Sequence, residues 1–502
     1  MNPAPGERKL NEARQFLEHC NFSKAVNAYE RLTHQFPHKA WIWFEYGCAA
    51  GGAGLLDLVE RAWRKALELE PHNSELSLQM GHRYLGLRLP EKARAAFERA
   101  ADADPGGINP RVALAIFFEQ NHRFAESREA VASCLAIDPR DDQARYFAAL
   151  LDRRENKMEE AESSLRDLIA SGPRHPFVQY ASRYELAEVL NRTERFDEAM
   201  AALAEAKRFV RALGGVDVML KEYDEEAGKY RRTTQALPAN ILRTWSKDFP
   251  EKSRAAIPKL AFLGGHPRSG TTLLEQILGA HPEVAALDEP SAFTMIAAGL
   301  FNASPQLPPA RLNIIRGRYI EALQKELGGN TDGKVLLDKN PSPTLKLRIW
   351  LRIFPELRVL IALRDPRDVV LSCYFQNIPL NPFNANFLSL ERAATHYANL
   401  MDVWLAVRQW EGFAWIETRY EDIVADLAKE GGRVTGFLGL SWHEEQARFY
   451  EKSSQKRIYS PTYHDASQPV YARSVSRWQA FEKHLAGIEP ILKPYCRAFG
   501  YV

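Results

Sequence analysis

Prolines recur at Pro37, Pro71, Pro105, Pro139 and Pro173, a step of 34 residues each time. Proline fills 29 of 502 positions, so four further hits at one fixed step arise by chance about once in 10^5 from a given start. Other positions keep the same phase. Twelve residues before each proline stand Ala25, Val59, Ala93, Ser127 and Ala161. Twenty-four before stand Ala13, Gly47, Gly81, Ala115 and Ala149, and eight before stand Tyr29, Trp63, Phe97, Val131 and Leu165. Small residues at two phases and bulky ones at a third suit closely packed helix pairs. The small side chains let two backbones approach, and the large one fills the groove to the next pair.

This pattern resembles tetratricopeptide repeats over residues 7–212. A sixth, less regular copy is "YELAEVLNRTERFDEAMAALAEAKRF", with Ala187 and Ala199 in phase after a four-residue insertion. The resemblance implies an all-α solenoid that presents a concave face to a protein or peptide partner, with support of a neighbouring domain or self-association as the alternatives. The cluster "WIWFEY" (Trp41 to Tyr46) is expected to pack in a helix core. Phase is lost over 213–256, which reads as one or two connecting helices. A second domain is expected over 257–502.

At 502 residues the chain is too long for a single core. With 45% hydrophobic and 26% charged residues it has the composition of a globular protein. A net charge of +2 gives no general reason to expect nucleic acid, so any anion site must be local. Five scattered cysteines without a CxxC suggest neither disulfides nor zinc. No signal peptide or membrane span is expected, and a cytoplasmic location is the default expectation.

The second half alternates short apolar runs with helical patterns, which predicts a parallel α/β sheet. Each run ends in polar residues. "LAFLGG" leads to Arg268, and "EVAAL" to Asp288 and Glu289. "KVLL" leads to Asp338 and Lys339, "RVLIAL" to Arg364 and Asp365, and "FAWIETRY" to Arg419 and Tyr420. Ligands bind beyond the carboxyl ends of such strands, so Arg268, Glu289, Lys339 and Arg364 should share one crevice. The loop "GGHPRSGTT" has the layout of a phosphate-binding loop, yet Thr271 stands where the Walker lysine belongs. The N–H groups from Ser269 through Gly270 and Thr271 to Thr272 make an anion nest at a helix start, with Arg268 as a planar fork. Such a loop suits a smaller anion held without metal. An ATP-dependent kinase is disfavoured.

At these residues the chain resembles the sulfotransferases, and among them most the protein-tyrosine sulfotransferases. "PRSGTT" resembles their 5′-phosphosulfate loop, and "ALRDPRDVVLS" their 3′-phosphate motif. "HPEVAALDEP" resembles the segment bearing their catalytic glutamate, "LLDKNPSPTLK" the one bearing their catalytic lysine, and "SRWQAF" a late cofactor-contacting element. The resemblance implies a P-loop-like sulfotransferase domain using 3′-phosphoadenosine 5′-phosphosulfate (PAPS) as donor, with no metal. It implies that Arg268 to Thr272 hold the 5′-phosphosulfate and that Arg364 and Ser372 hold the 3′-phosphate. Glu289 becomes the general base, and Lys339 stabilises the transferring group. Tyr420 and Arg477 are further cofactor-contact candidates. Asp288 and Asp338 are expected to order loops, and His281 to end a helix. Tyr463 and His464 fall where an acceptor is expected. The acceptor stays open between a protein tyrosine, a glycan, a lipid and a small molecule. The alternative reading is a repeat scaffold with an inactive transferase-like domain.

Overall fold

A computed structural model describes residues 5–249, 259–290, 292, 307–328, 331–453, 468–470 and 473–501. They divide into two compact units, Met1–Val178 and Gln179–Val502.

The first unit is a stack of antiparallel helix pairs. The pairs are α1 (Pro5–Glu18) with α2 (Phe22–Gln35), α3 (Ala40–Gly52) with α4 (Leu56–Leu69), and α5 (Ser74–Gly86) with α6 (Pro90–Ala103). Then follow α7 (Asn109–Gln120) with α8 (Phe124–Ile137) and α9 (Asp142–Arg154) with α10 (Met158–Ala170). Each periodic proline follows the second helix of its pair, where a residue without a donor cannot continue the helix. A second period emerges in the turn within each pair. Cys20, Gly54, Arg88, His122 and Asn156, again 34 apart, all have positive φ, from 54° to 73°. A tight helix–turn–helix needs one left-handed residue there, and only one copy supplies glycine.

The small and large phases meet within a pair. A β-carbon at Gly47 would overlap the Trp63 indole, and one at Gly81 the Phe97 ring. Trp63 Nε1 also donates to the Phe44 carbonyl at 3.0 Å, which fixes the indole. Trp63 and Phe97 thus sit on glycine, while Tyr29, Val131 and Leu165 have alanine (Ala13, Ala115 and Ala149) at the matching position of their pairs. Among the "WIWFEY" residues, Phe44 and Tyr46 are buried, while Trp41 remains 37% exposed.

The second unit begins inside the sixth pair, at Gln179 of α11 (Pro176–Arg192), and continues with α12 (Phe196–Ala212), α13 (Val216–Gln235) and α14 (Ile241–Ser246). Within this unit α12 is tied to the transferase-like part. The Phe196 and Phe481 rings lie 5.0 Å apart. The Lys207 ammonium is buried, donates to the Phe387 carbonyl at 2.8 Å and sits 4.2 Å from the Tyr374 ring. Burial lowers its pKa to about 7.

Five parallel strands form the sheet: β1 (Leu260–Gly265), β2 (Val284–Asp288), β3 (Val335–Lys339), β4 (Arg358–Leu363) and β5 (Ala414–Arg419), in the order β2-β3-β1-β4-β5. β1 and β3 are buried along their whole length, as central parallel strands covered on both faces must be. Alternate residues serve opposite faces. Ala261, Leu263, Leu337 and Leu360 pack with Leu274, Ile277 and Leu278 of α15 (Thr271–Gly279). Phe262 faces the other way, 5.2 Å from Trp350. A helix not anticipated from the sequence, α16 (Pro309–Leu327), joins β2 to β3 and brings Tyr319 to Trp350. After β4, α17 (Pro366–Tyr374) and α18 (Leu390–Val407) follow in the chain.

The glycine–ring contacts give a direct test. In an exposed helix, glycine to alanine gains about 0.5–1 kcal/mol, and Gly86, with no atom within 4 Å of an added β-carbon, should behave so. Gly47→Ala should instead lose about 1–3 kcal/mol by overpacking against Trp63. Urea denaturation of both variants measures the contrast, and two equal gains would contradict the packing described.

Candidate active site

The five strand ends converge because the strands are parallel and in register. Leu263 is opposite Lys339, Asp288 is opposite Lys339, and Leu363 is opposite Arg419. β1 lies in the middle, so its following loop separates two charged clusters.

The loop from His266 to Gly270 is shaped by close backbone approach. A β-carbon on Gly265 (φ 128°) would strike the Ala362 carbonyl, and one on Gly270 (φ 92°) would lie 2.9 Å from the Tyr420 ring. The Thr344 hydroxyl accepts from the Gly265 N–H at 2.9 Å and donates to the Gly265 carbonyl at 3.0 Å, which pins the strand end. Ser269 closes the turn: its N–H and its hydroxyl both donate to the His266 carbonyl, at 3.1 and 2.6 Å. Ser269 therefore shapes the nest, and its N–H does not point into it. Gly270 is the N-cap of α15 without a side-chain cap, and Thr271 and Thr272 open the helix. The first N–H groups of such a helix have no acceptor within it and favour an anion. Beneath the loop His266 Nε2 and His396 Nδ1 lie 2.7 Å apart. Burial lowers both, His266 to about 4, so the floor is uncharged.

On the β4 side three arginines gather. Arg268 Nε donates to the Ser372 hydroxyl at 3.0 Å, joining loop and α17. Arg364 donates to the Arg268 carbonyl at 3.3 Å and to the Ser474 carbonyl, and its guanidinium lies 5.1 Å from the Tyr420 ring. Its Nε is buried without a hydrogen-bond partner. Arg477 stacks over Phe375 at 4.3 Å, with Nε and Nη2 both buried and unpartnered. Burial is the main cause of its lowered pKa. Glu188 and Asp368 oppose the shift, whereas Arg364 and Arg268 add to it. Asp368, a turn after Arg364, accepts from the Trp478 N–H at 2.7 Å and so docks the late segment on α17. Buried guanidinium N–H groups need acceptors, and mutually repelling arginines need an anion. The residues present fit an anionic ligand.

On the β2 side the Lys339 ammonium is wholly buried, ion-paired with Asp288 and 3.1 Å from Glu289 Oε1. Strand alternation would turn Glu289 to the face opposite Asp288. Its φ of 51° turns it back while its N–H still donates to the Lys339 carbonyl at 2.8 Å. Outside the repeats, the described non-glycine residues with positive φ are Arg268, Glu289 and Ser476. Backbone strain of this kind concentrates at functional sites. Burial alone would make Lys339 less basic, but Asp288, Glu289 and Glu275 outweigh it and the net shift is upward. Asp338, next to it, faces the other side, where the Tyr319 hydroxyl donates to it. Burial pushes that carboxyl up to about 7, against the Tyr319 hydrogen bond and Lys339.

The sequence candidates therefore fall into an arginine group (Arg268, Ser372, Arg364, Tyr420, Arg477) and a lysine–carboxylate group (Glu289, Lys339), with Gly270 to Thr272 between them. His281 belongs to neither: its Nδ1 accepts from the Glu283 N–H and its Nε2 meets the Ser441 carbonyl, both at 3.0 Å. Tyr463 and His464 lie outside the described residues. Sequence reasoning missed Thr344 and Asp368. The second was legible as an acid one helical turn after Arg364.

The strand-end loop has a P-loop-like layout, and residues 261–444 match the Sulfotransferase family. The second unit thus carries a sulfotransferase-family domain. The chain is 22% identical to an uncharacterized protein of Aquifex aeolicus, over 88% of this chain and 57% of that one. It is 24% identical to protein-tyrosine sulfotransferase A of Caenorhabditis elegans, over 48% and 66%. In both cases less than two thirds of the relative's own length is spanned. Among solved structures, the sulfotransferase domain of the Synechococcus PCC 7002 olefin synthase aligns over 44% of this chain and 88% of its own, with 18% identity and a TM-score of 0.33.

The Asp338 carboxyl makes a stability prediction. Its pKa is raised on folding, from about 3.9 to about 7. The stability it contributes is full below pH ~4 and is lost as pH rises through ~7. Asp338→Asn should therefore flatten the decline in urea midpoint over that interval. The same decline in both proteins would show that Asp338 does not titrate there.

Proposed function

We propose that the chain is a PAPS-dependent sulfotransferase that transfers a sulfuryl group to an acceptor hydroxyl. The observation that carries this reading is the pairing of two unlike clusters across one uncapped helix start. One side holds three arginines, two of which, Arg364 and Arg477, have buried N–H groups lacking acceptors, and the other holds a lysine beside a half-exposed carboxylate. An ATP site would need a loop lysine, where this chain has Thr271.

When bound, PAPS supplies the activated sulfuryl group. Arg268 and the N–H groups of Gly270 to Thr272 bind the 5′-phosphosulfate end. Arg364, Ser372 and Arg477 bind the 3′-phosphate, with the Tyr420 ring walling the loop. Glu289, 49% exposed, accepts the proton of the acceptor hydroxyl as that oxygen bonds to sulfur. Lys339 compensates charge on the oxygen that leaves with adenosine 3′,5′-bisphosphate. Positioning and fixed positive charge suffice for such in-line transfer, as they do for phosphoryl transfer.

The name of the Caenorhabditis relative supports a protein tyrosine as acceptor, and the helix-pair array supports recruitment of a protein bearing it. The reading depends on the nucleotide, which can be tested without the acceptor. Calorimetric titration should show tighter binding of adenosine 3′,5′-bisphosphate than of adenosine 5′-phosphate. Arg364→Ala should weaken the bisphosphate by about 10- to 150-fold, the value of one charge-assisted hydrogen bond. Equal affinity for the two nucleotides in the unaltered protein would refute it.

A second measurement separates binding from chemistry. Glutamine at position 289 keeps the size of the side chain but cannot take a proton at neutral pH. Glu289→Gln should lower turnover by about 10²–10⁴-fold with bisphosphate affinity unchanged. A matching loss of affinity would make Glu289 a binding residue instead.

A further inference from the structure

Lys339 has two neighbouring carboxylates at the end of β2, and they are not equivalent. Asp288 is its register partner on the adjacent strand and is buried, so the ladder itself sets that contact. Glu289 reaches the ammonium only through a left-handed backbone, and about half of its side chain stays exposed. Resting on the transferase reading above, we propose that Asp288 is a positioning residue: it is the permanent counter-ion of Lys339, which leaves Glu289 free to exchange a proton with the acceptor.

Charge accounting over one turnover requires such a group. While Glu289 holds the acceptor's proton it is neutral, and a buried ammonium facing it alone would lose its counter-charge. An ammonium on a four-carbon stem also has rotational freedom that a single exposed partner does not remove. Asp288 keeps both the charge and the direction of Lys339 constant. The groups facing Lys339 are Asp288 of β2, Glu289 just after it and Glu275 from α15; Asp338 of its own strand adds a fourth acid on the opposite side. The upward shift of Lys339 agrees with this arrangement.

The test uses the full chain and slow hydrolysis of PAPS to sulfate and adenosine 3′,5′-bisphosphate, with water standing in for the acceptor. In Asp288→Asn, kcat should fall about 10²-fold, as for a misplaced catalytic group. KM for PAPS should stay within about twofold, because the arginine cluster is untouched. The alkaline limb of the pH–rate profile should move to lower pH, since Lys339 has lost the carboxylate that holds its proton. Unchanged kcat and an unchanged limb would overturn the proposal. Should the asparagine variant fail to fold, Asp288→Glu carries the test: it keeps the charge, so the limb should stay in place, and a displaced limb overturns the idea. In a Lys339→Met background Asp288→Asn should add no further loss, and independent, additive losses would also overturn it. Normal hydrolysis by Lys339→Met alone would instead overturn the reading of the site, and the role of Asp288 with it.

Discussion

A guanidinium can leave water only if something accepts its hydrogen bonds, and the second unit places Arg477 and Arg364 in a dry interior with N–H groups unanswered. Much of the local architecture follows from that constraint. The aromatic faces of Phe375 and Tyr420 cover the planes of the two cations. Asp368 anchors the segment that carries Arg477. Three arginines brought this close repel one another, and an anionic ligand would relieve that repulsion.

The sheet order explains how one crevice can hold two chemistries. With β1 central, its loop divides the arginine cluster beyond β4 from the lysine–carboxylate cluster beyond β2 and β3. An anionic ligand lying along the loop would meet arginines on one side and the lysine–carboxylate pair on the other. The uncharged His266–His396 pair beneath keeps the loop's field dependent on arginine and on backbone N–H groups.

Much of this was legible in the sequence because it is periodic or lies at strand ends. The 34-residue phase of proline and the pairing of glycine with large rings are one-dimensional traces of helix packing. The five strands could be read because each apolar run stops at a charge. What could not be read depends on backbone angles and long-range partners. Nothing in "LDEP" announces that Glu289 turns through a positive φ to rejoin Lys339, or that Ser269 faces inward to close its own loop. The helix Pro309–Leu327 belongs neither to the repeat phase nor to a strand end, so neither of those two signals marks it. The left-handed residue in the repeat turns was hidden because cysteine, arginine, histidine and asparagine fill it as well as glycine.

The buried contact of Lys207 has a consequence for how such a chain can be taken apart. The repeat-like helix α12 sends an ammonium against the Tyr374 ring and the Phe387 carbonyl, so the sixth pair is woven into the sulfotransferase-family domain although its sequence belongs to the solenoid. Exchange of modules between proteins, in a laboratory or over evolutionary time, would leave this lysine's cavity open if the cut fell where the repeat phase ends. The natural seam runs through the array itself, and a graft that respects it must carry two helices that sequence similarity assigns to the other partner.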